Sequence, residues 1–136
     1  MSKTPAASNA GFQFRLDSHS GVPVYRQIID QVQAGIASGA LKTGNQLPTV
    51  RQVAVDLAIN PNTVLRSYRE LEIRGVLETQ QGTGTFIAER KIKSDDAQRA
   101  RQLSQLVSEF VARAGANGFS LKDLMERLVE YEDRRK

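Results

Sequence analysis

The chain has 136 residues, the length of one domain with a modest appendage. It contains no cysteine, which excludes disulfides, thiolate metal ligands and a thiol nucleophile. No apolar run approaches the roughly 20 residues that span a bilayer. Residues 1–11 are polar and lack the apolar core of a secretion signal. We therefore expect a cytoplasmic protein without a membrane partner.

The positive charge of the chain is concentrated in its front part. Residues 1–93 contain 11 Lys and Arg against 7 Asp and Glu, whereas residues 94–136 contain 8 of each. The whole net charge of +4 therefore lies in the front part. Such an asymmetry suits a polyanionic partner such as double-stranded DNA.

The first 20 residues show little hydrophobic periodicity. Residues 1–20 are predicted to form a flexible N-terminal arm. Within it, Phe12, Phe14 and Leu16 alternate with polar residues, so this part could instead form a short strand or pack on the body. A first helix is predicted to start at Pro23, since proline is tolerated at the first helical position, and apolar residues follow it at helical spacing.

Two short helices are predicted next, about three residues apart. Thr49 is a good N-cap for the first of them, and Gln52 completes a capping box. Asn60 followed by Pro61 is a second start signal, an N-cap before a proline at the first helical position. This third helix is predicted to run to about Arg74. Its inward-facing residues are predicted to be Val64, Tyr68 and Leu71, with Tyr68 in the core and not stacked on a base.

The periodicity changes to that of strands after Gly75. Residues 76–80 and 85–88 are predicted as two short strands, joined by the glycine-rich turn Gln81-Gly82-Thr83-Gly84. Two short helices followed by a two-stranded ribbon form a DNA-binding unit. We therefore predict a winged helix-turn-helix domain over residues 21–90.

This arrangement suggests which residues contact DNA. The major groove admits one helix, where Asn can pair with adenine and Arg can bind guanine or phosphate. Free N–H groups in the first turn of that helix also favour phosphate. Arg66 and Arg69 could simply be solvated, and Leu65 could contact a thymine methyl or pack on a neighbour. The predicted contact residues are Arg51, Asn60, Pro61, Asn62, Thr63, Arg66, Arg69, Gln81, Gly82, Thr83 and Gly84.

Two amphipathic helices are predicted in the tail, residues 99–136, after a linker at residues 91–98. Helices of about 15–20 residues cannot bury both apolar stripes against each other alone. The stripes could pack on the front domain or on a second copy of the chain, and we favour a homodimer. The fold class is thus mainly α with a small β-wing, followed by a two-helix dimerisation domain. Its predicted dimer residues are Leu103, Leu106, Val107, Phe110, Leu121, Leu124, Met125 and Leu128.

Catalysis and metal binding are not expected. His19 is the only histidine, and the carboxylates are scattered, so no catalytic triad can be placed. No cofactor site is visible, and a small-molecule effector could bind between the tail helices without any residue requiring it. A winged helix used only for protein contact remains an alternative, although the basic front part and the polar face of the third helix count against it.

The front part resembles the DNA-binding domain of GntR-type regulators over about residues 20–90. Asn60-Pro61-Asn62-Thr63-Val64 and the short tail are similar to the YtrA branch of that family. Other branches have a larger effector-binding domain or an aminotransferase-like domain with pyridoxal phosphate, and neither fits into residues 94–136. The matching residues are Gly39-Ala40-Leu41, Gly44, Leu47-Pro48-Thr49-Val50-Arg51, Ala54, Asn60, Thr63-Val64, Tyr68, Leu71, Gly75 and Gly82-Thr83-Gly84-Thr85-Phe86-Ile87.

The resemblance implies a transcriptional regulator, commonly a repressor, that binds an inverted repeat as a homodimer. It also implies DNA contacts at the first turn of the second helix, the start of the third helix and the wing tip. Some relatives have arginines where this chain has Pro61 and Leu65, so base contacts by those arginines cannot be transferred. Arg66 is expected to substitute for one of them, on phosphate.

Overall fold

A computed structural model describes residues 12–90 and 95–135. The chain divides into two units, Met1–Arg90 and Lys91–Lys136. Within the described residues, the helical fold with a small wing and a helical tail is confirmed. The elements are α1 (Val24–Ser38), β1 (Gln46–Leu47), α2 (Val50–Leu57), α3 (Pro61–Ile73), β2 (Leu77–Gln80), β3 (Gly84–Ile87), α4 (Asp96–Ala116) and α5 (Leu121–Arg135).

Local capping sets the helix boundaries in the first unit. The Thr49 hydroxyl accepts a hydrogen bond from the Gln52 amide at 3.0 Å, which starts α2. The predicted capping box is only half formed among the described residues: the Gln52 side chain donates from Nε2 to Asp56 Oδ1 at 2.7 Å, and its oxygen does not accept from the Thr49 amide. Pro23 precedes α1 as its N-cap and is not its first residue, and Gly39 ends that helix in a left-handed conformation.

The wing contains a third strand that the sequence did not predict. Strand β3 lies between β1 and β2, and both pairings are antiparallel. Gln46 lies opposite Phe86 in the first pairing, and Leu77 lies opposite Ile87 in the second. A strand of two residues has no readable periodicity, so its existence depends on pairing with β3.

The core of the first unit lies between α1, α2, α3 and the sheet. The predicted inward positions of α3 are confirmed, since Val64, Tyr68 and Leu71 are all buried. The Tyr68 hydroxyl donates to the Pro48 carbonyl at 2.6 Å, and burial raises the pKa of this phenol well above its usual value. Other large core residues are Ile28, Ile29, Val32, Leu41, Leu47, Val53, Val76 and Ile87.

The described part of the predicted flexible arm is packed on α1 and forms no strand. Phe14 is buried in the core. The Gln31 side chain accepts from the Arg15 amide at 2.9 Å and donates to the Arg15 carbonyl at 2.6 Å. Gln27 makes the same pair of bonds to Asp17, at 2.8 and 3.0 Å. Of the alternatives for this stretch, the structure has the arm packed on the body, and residues 1–11 lie outside the described residues.

The tail forms a helical hairpin from α4 and α5. Helix α4 starts at Asp96, inside the predicted linker 91–98, because the Asp95 carboxylate caps it by accepting from the Gln98 amide at 2.6 Å. Residues 91–94 lie outside the described part of the chain. At the start of α5, Ser120 and Asp123 form a reciprocal capping box, with bonds of 2.8 and 3.1 Å.

Candidate nucleic-acid interface

Helix α3 has one buried and one exposed face. Ser67 lies on the buried face and donates its hydroxyl to the Tyr25 carbonyl at 3.0 Å, which links α3 to the start of α1. The opposite face is exposed and polar apart from one leucine. Its residues are Asn62, Leu65, Arg66 and Arg69. This is the polar face that the helical spacing predicted.

The two asparagines at the start of α3 differ in what their side chains can do. Asn60 is the N-cap, and its Oδ1 accepts from the Asn62 amide at 2.8 Å. Bidentate pairing with adenine needs both the oxygen and the NH₂ group of an asparagine. The Asn62 side chain is exposed and has no hydrogen-bond partner among the described residues. Asn62 is thus better suited than Asn60 to contact a base edge.

Arg51 is positioned by the contact between α2 and α3. It lies in the first turn of α2, two residues after the Thr49 cap. The bond from Tyr68 to the Pro48 carbonyl joins α3 to the residue before this cap. The guanidinium of Arg51 is exposed and has no ion-pair partner within the described part of the chain. It is therefore available to an external acceptor.

Arg66 has an intramolecular partner that sequence reasoning missed. Its guanidinium carbon lies 3.7 Å from the centre of the Tyr25 ring, which is a cation–π contact. Such a contact holds the planar group in one orientation and leaves its N–H donors usable. The sequence offered little signal for this contact, because Tyr25 lies in the first turn of the first helix, among residues at apolar helical spacing.

The wing tip is a tight turn whose backbone requires glycine. The Thr83 amide donates to the Gln80 carbonyl at 2.9 Å, which closes the turn. Gly82 and Gly84 have φ angles of 79° and 142°, which L side chains rarely adopt. Gln81, Gly82 and Thr83 are exposed, so the predicted turn and its accessibility agree with the structure.

All the predicted DNA-contact residues belong to the first unit, and most of them are exposed. Arg69, like Arg51, has no ion-pair partner among the described residues, whereas Arg74 binds Glu70 at 3.0 Å. In the same residues there is no cluster of metal ligands. No described helix is both long and apolar enough to cross a bilayer. The available chemistry is thus a set of hydrogen-bond donors and unpaired cations.

Comparisons with known proteins agree with this geometry. The family described as "Bacterial regulatory proteins, gntR family" matches residues 24–87. The HTH-type transcriptional repressor YtrA of Bacillus subtilis is 34% identical over 116 residues, covering 85% of this chain and 89% of that relative. This chain belongs to the GntR family.

Further relatives place this GntR-family chain near the YtrA proteins. An HTH-type transcriptional regulator of Mycobacterium tuberculosis is 39% identical, covering 88% of this chain and 93% of that protein. A transcriptional antiterminator from Listeria monocytogenes has a TM-score of 0.67 at 28% identity, covering 94% of both chains. YtrA from Sulfolobus acidocaldarius has a TM-score of 0.55 at 28% identity, covering 73% of this chain and 97% of its own.

The family and the geometry together establish the class of protein. The chain is a DNA-binding transcriptional regulator of YtrA-like type with a winged-helix domain, and it is not an enzyme. The match over residues 24–87 contains α1 to β3 completely, and therefore every predicted DNA-contact residue.

Proposed function

We propose that this GntR-family regulator is a repressor that binds an inverted-repeat operator as a homodimer. One observation carries the proposal. Beside a DNA-binding unit, the chain has a tail whose two apolar stripes remain exposed. The predicted dimer residues other than Leu124 are between 48% and 62% exposed, although all are large and apolar. A soluble chain rarely leaves such stripes uncovered, because exposed contiguous apolar surface marks an interaction site.

The tail cannot cover these stripes by its own packing. Ala114 is the one buried residue among those described in α4 and α5, and Leu124 is half-buried. Seven large apolar side chains are left to a partner. A second copy offers the same stripes, and a two-fold arrangement makes them self-complementary. Packing on the first unit of the same chain is the alternative, and the oligomeric state in solution distinguishes the two.

Pairing suits the DNA-binding unit because one short helix makes few base contacts. A two-fold dimer presents two α3 helices to half-sites about one DNA turn, roughly 34 Å, apart. The second helix then binds at a high effective concentration, which raises overall affinity without a new contact. This supports an operator with inverted symmetry.

The DNA-facing residues take different roles in this proposal. Asn62 and Arg51 contact base edges, because they lie in the first turns of α3 and α2 and their side chains have no partner among the described residues. Asn60 and Pro61 shape the start of α3, and Thr63 lies in its first turn. Arg66 and Arg69 bind phosphates. The residues of the wing tip that contact a neighbouring groove or phosphate are Gln81, Gly82, Thr83 and Gly84.

Repression is proposed because the Bacillus subtilis relative YtrA is a transcriptional repressor. A dimer bound over a promoter excludes polymerase by occupancy alone, so neither a cofactor nor a metal is needed. A DNA partner also implies a cytoplasmic location. No effector is required by the proposal.

Selection of the full chain on random duplexes tests this function. We expect an inverted repeat with half-sites about one helical turn apart, since each copy contributes one α3. Affinity for the selected duplex should fall steeply with added salt, as phosphate contacts release counterions. Enrichment of a single unrepeated half-site contradicts the dimer. Failure to enrich any duplex, with little salt-dependent binding, favours a protein-contact module instead.

A further inference from the structure

The wing tip is attached to the short strand β1 by one side chain. We propose that Gln46 is a positioning residue for DNA binding, which holds the turn of residues 81–84 in the conformation that contacts DNA. The proposal rests on the proposed function, because it requires that the wing contacts DNA. It assigns a role to β1, a strand that neither the helix-turn-helix nor the hairpin explains.

The sheet register places Gln46 beside the wing. Gln46 pairs with Phe86 of β3, and Leu47 pairs with Thr85. Strand β3 begins at Gly84, directly after the turn. The Gln46 amide group reaches this end of the strand and donates from Nε2 to the Thr83 carbonyl at 3.1 Å. The bond joins residues 37 positions apart, so it fixes the turn to the body of the domain.

Both backbone groups of Thr83 therefore make hydrogen bonds. Its N–H donates to the Gln80 carbonyl within the turn, and its C=O accepts from Gln46 outside it. The first bond closes the turn and would persist in an isolated hairpin. The second bond is the one that fixes the direction in which the tip points.

Gly84 lies against the same amide group of Gln46. A Cβ at this position would collide with Gln46 Nε2, and the φ angle of 142° already disfavours other residues. The glutamine amide thus lies directly over the Gly84 backbone, in space that any side chain would fill. The close approach and the hydrogen bond locate the same amide group at the same turn.

A fixed wing tip matters because a short hairpin is only marginally stable by itself. Loop tips are usually the most mobile part of a domain. A tip that is ordered before binding loses less conformational entropy when it meets DNA, and this increases affinity. Gln46 can provide that order without touching DNA.

Gln46→Met in the full chain tests the proposal. The substitution keeps the length and the neutral charge of the side chain but removes the donor. We expect the backbone amides of residues 82–84 to show lower NMR order parameters. Affinity for the selected operator should fall about 3- to 10-fold, the range expected for one net hydrogen bond. The melting temperature should change little, because the bond is at the surface. Gln46→Leu, which is also neutral and cannot donate, should behave in the same way if Gln46→Met folds poorly.

The matched control is Gln33→Met, the same change at a half-buried glutamine of α1. It should leave both the tip and the affinity unchanged. In the Gln81→Ala background, Gln46→Met should cost less affinity than it does in the parent chain, because both act through the tip. Unchanged operator affinity or unchanged order at residues 82–84 overturns the proposal. If the parent chain binds no duplex, the proposed function fails by itself, and the order parameters alone show whether Gln46 holds the turn.

Discussion

At the scale of single residues, the side chains at the interface differ in whether they already have partners. The Asn60 oxygen is used by the helix cap, whereas the Asn62 side chain has no partner among the described residues. Arg66 stacks on Tyr25, and Arg74 is paired with Glu70. These states predict different consequences when each side chain is removed.

Asn62→Ala and Arg66→Ala should have different effects on DNA binding. Loss of Asn62 should relax the preference at one base pair and cost on the order of 1–3 kcal/mol there. Loss of Arg66 should weaken binding to all sequences and reduce the dependence of log affinity on log salt by about one counterion per half-site. Binding to a panel of operator variants at several salt concentrations measures both effects.

Arg74→Ala, at the C-terminal end of α3, is the matched control for Arg66→Ala. Because the Arg74 guanidinium is held by Glu70 at 3.0 Å, its removal should change the salt dependence far less than removal of Arg66. If Arg66→Ala instead relaxed the preference at one base pair alone, Arg66 would be a base contact and not a phosphate contact.

Helical spacing predicted which candidate contact residues share a face, but not which contacts hold their side chains. Helical spacing placed Asn62, Arg66 and Arg69 on one face, because a regular period determines which residues share a face. The stack of Arg66 on Tyr25 joins two helices that are far apart in sequence. No local pattern encodes such a contact, so it could be identified only from the structure.

At the scale of elements, helix starts are encoded locally and the short strand is not. The caps at Thr49, Asn60 and Ser120 were readable as a hydroxyl or amide before an apolar run. The cap at Asp95 was obscured by the charged residues around it, which indicated a linker. Strand β1 has two residues and exists because β3 pairs with it. Its prediction required tertiary information.

The start of α5 should be sensitive to acid through Asp123. Hydrogen bonds from the Ser120 amide, first, and the Ser120 hydroxyl lower the pKa of this exposed carboxyl. A lowered folded pKa means that the stabilisation is complete above the ordinary aspartate value of about 3.9 and is lost as pH falls through the lower folded value. Helicity of the tail should therefore decrease in acid, measured by circular dichroism and by NMR titration of the Asp123 carboxyl.

Asp123→Asn supplies the comparison for this prediction. The amide can still accept from the Ser120 N–H, but it does not titrate, so this contribution to the acid response should disappear. An identical pH dependence in the two chains would falsify the assignment of the response to the capping box.

At the scale of the whole molecule, the proposal assigns DNA binding and pairing to separate units. The first unit contains the matched family domain, and the apolar stripes belong to the tail. The apolar stripes of the tail were predicted from helical spacing. The spacing does not specify which surface covers the stripes, because it shows only that their residues are apolar.

A chain that ends after Lys93 should fold, remain monomeric and bind the selected palindrome weakly. It keeps all of α1 to β3 and their core, but it loses both stripes. Phe110→Glu in the full chain is the matched variant, because it places a charge in the stripe without shortening the protein. Sedimentation and titration of the palindrome measure both. Parent-like affinity in the monomeric fragment would show that the tail has no role in pairing.

If the exposed stripes on α4 and α5 pair two copies as proposed, operator occupancy depends on how much protein a cell contains. Formation of the proposed dimer is second order in chain concentration, so at low levels a twofold fall in protein reduces the dimer about fourfold. A regulator of this kind responds more steeply to its own synthesis and dilution than a monomer would. The same surface that completes the fold of the tail would then set a threshold for control of transcription.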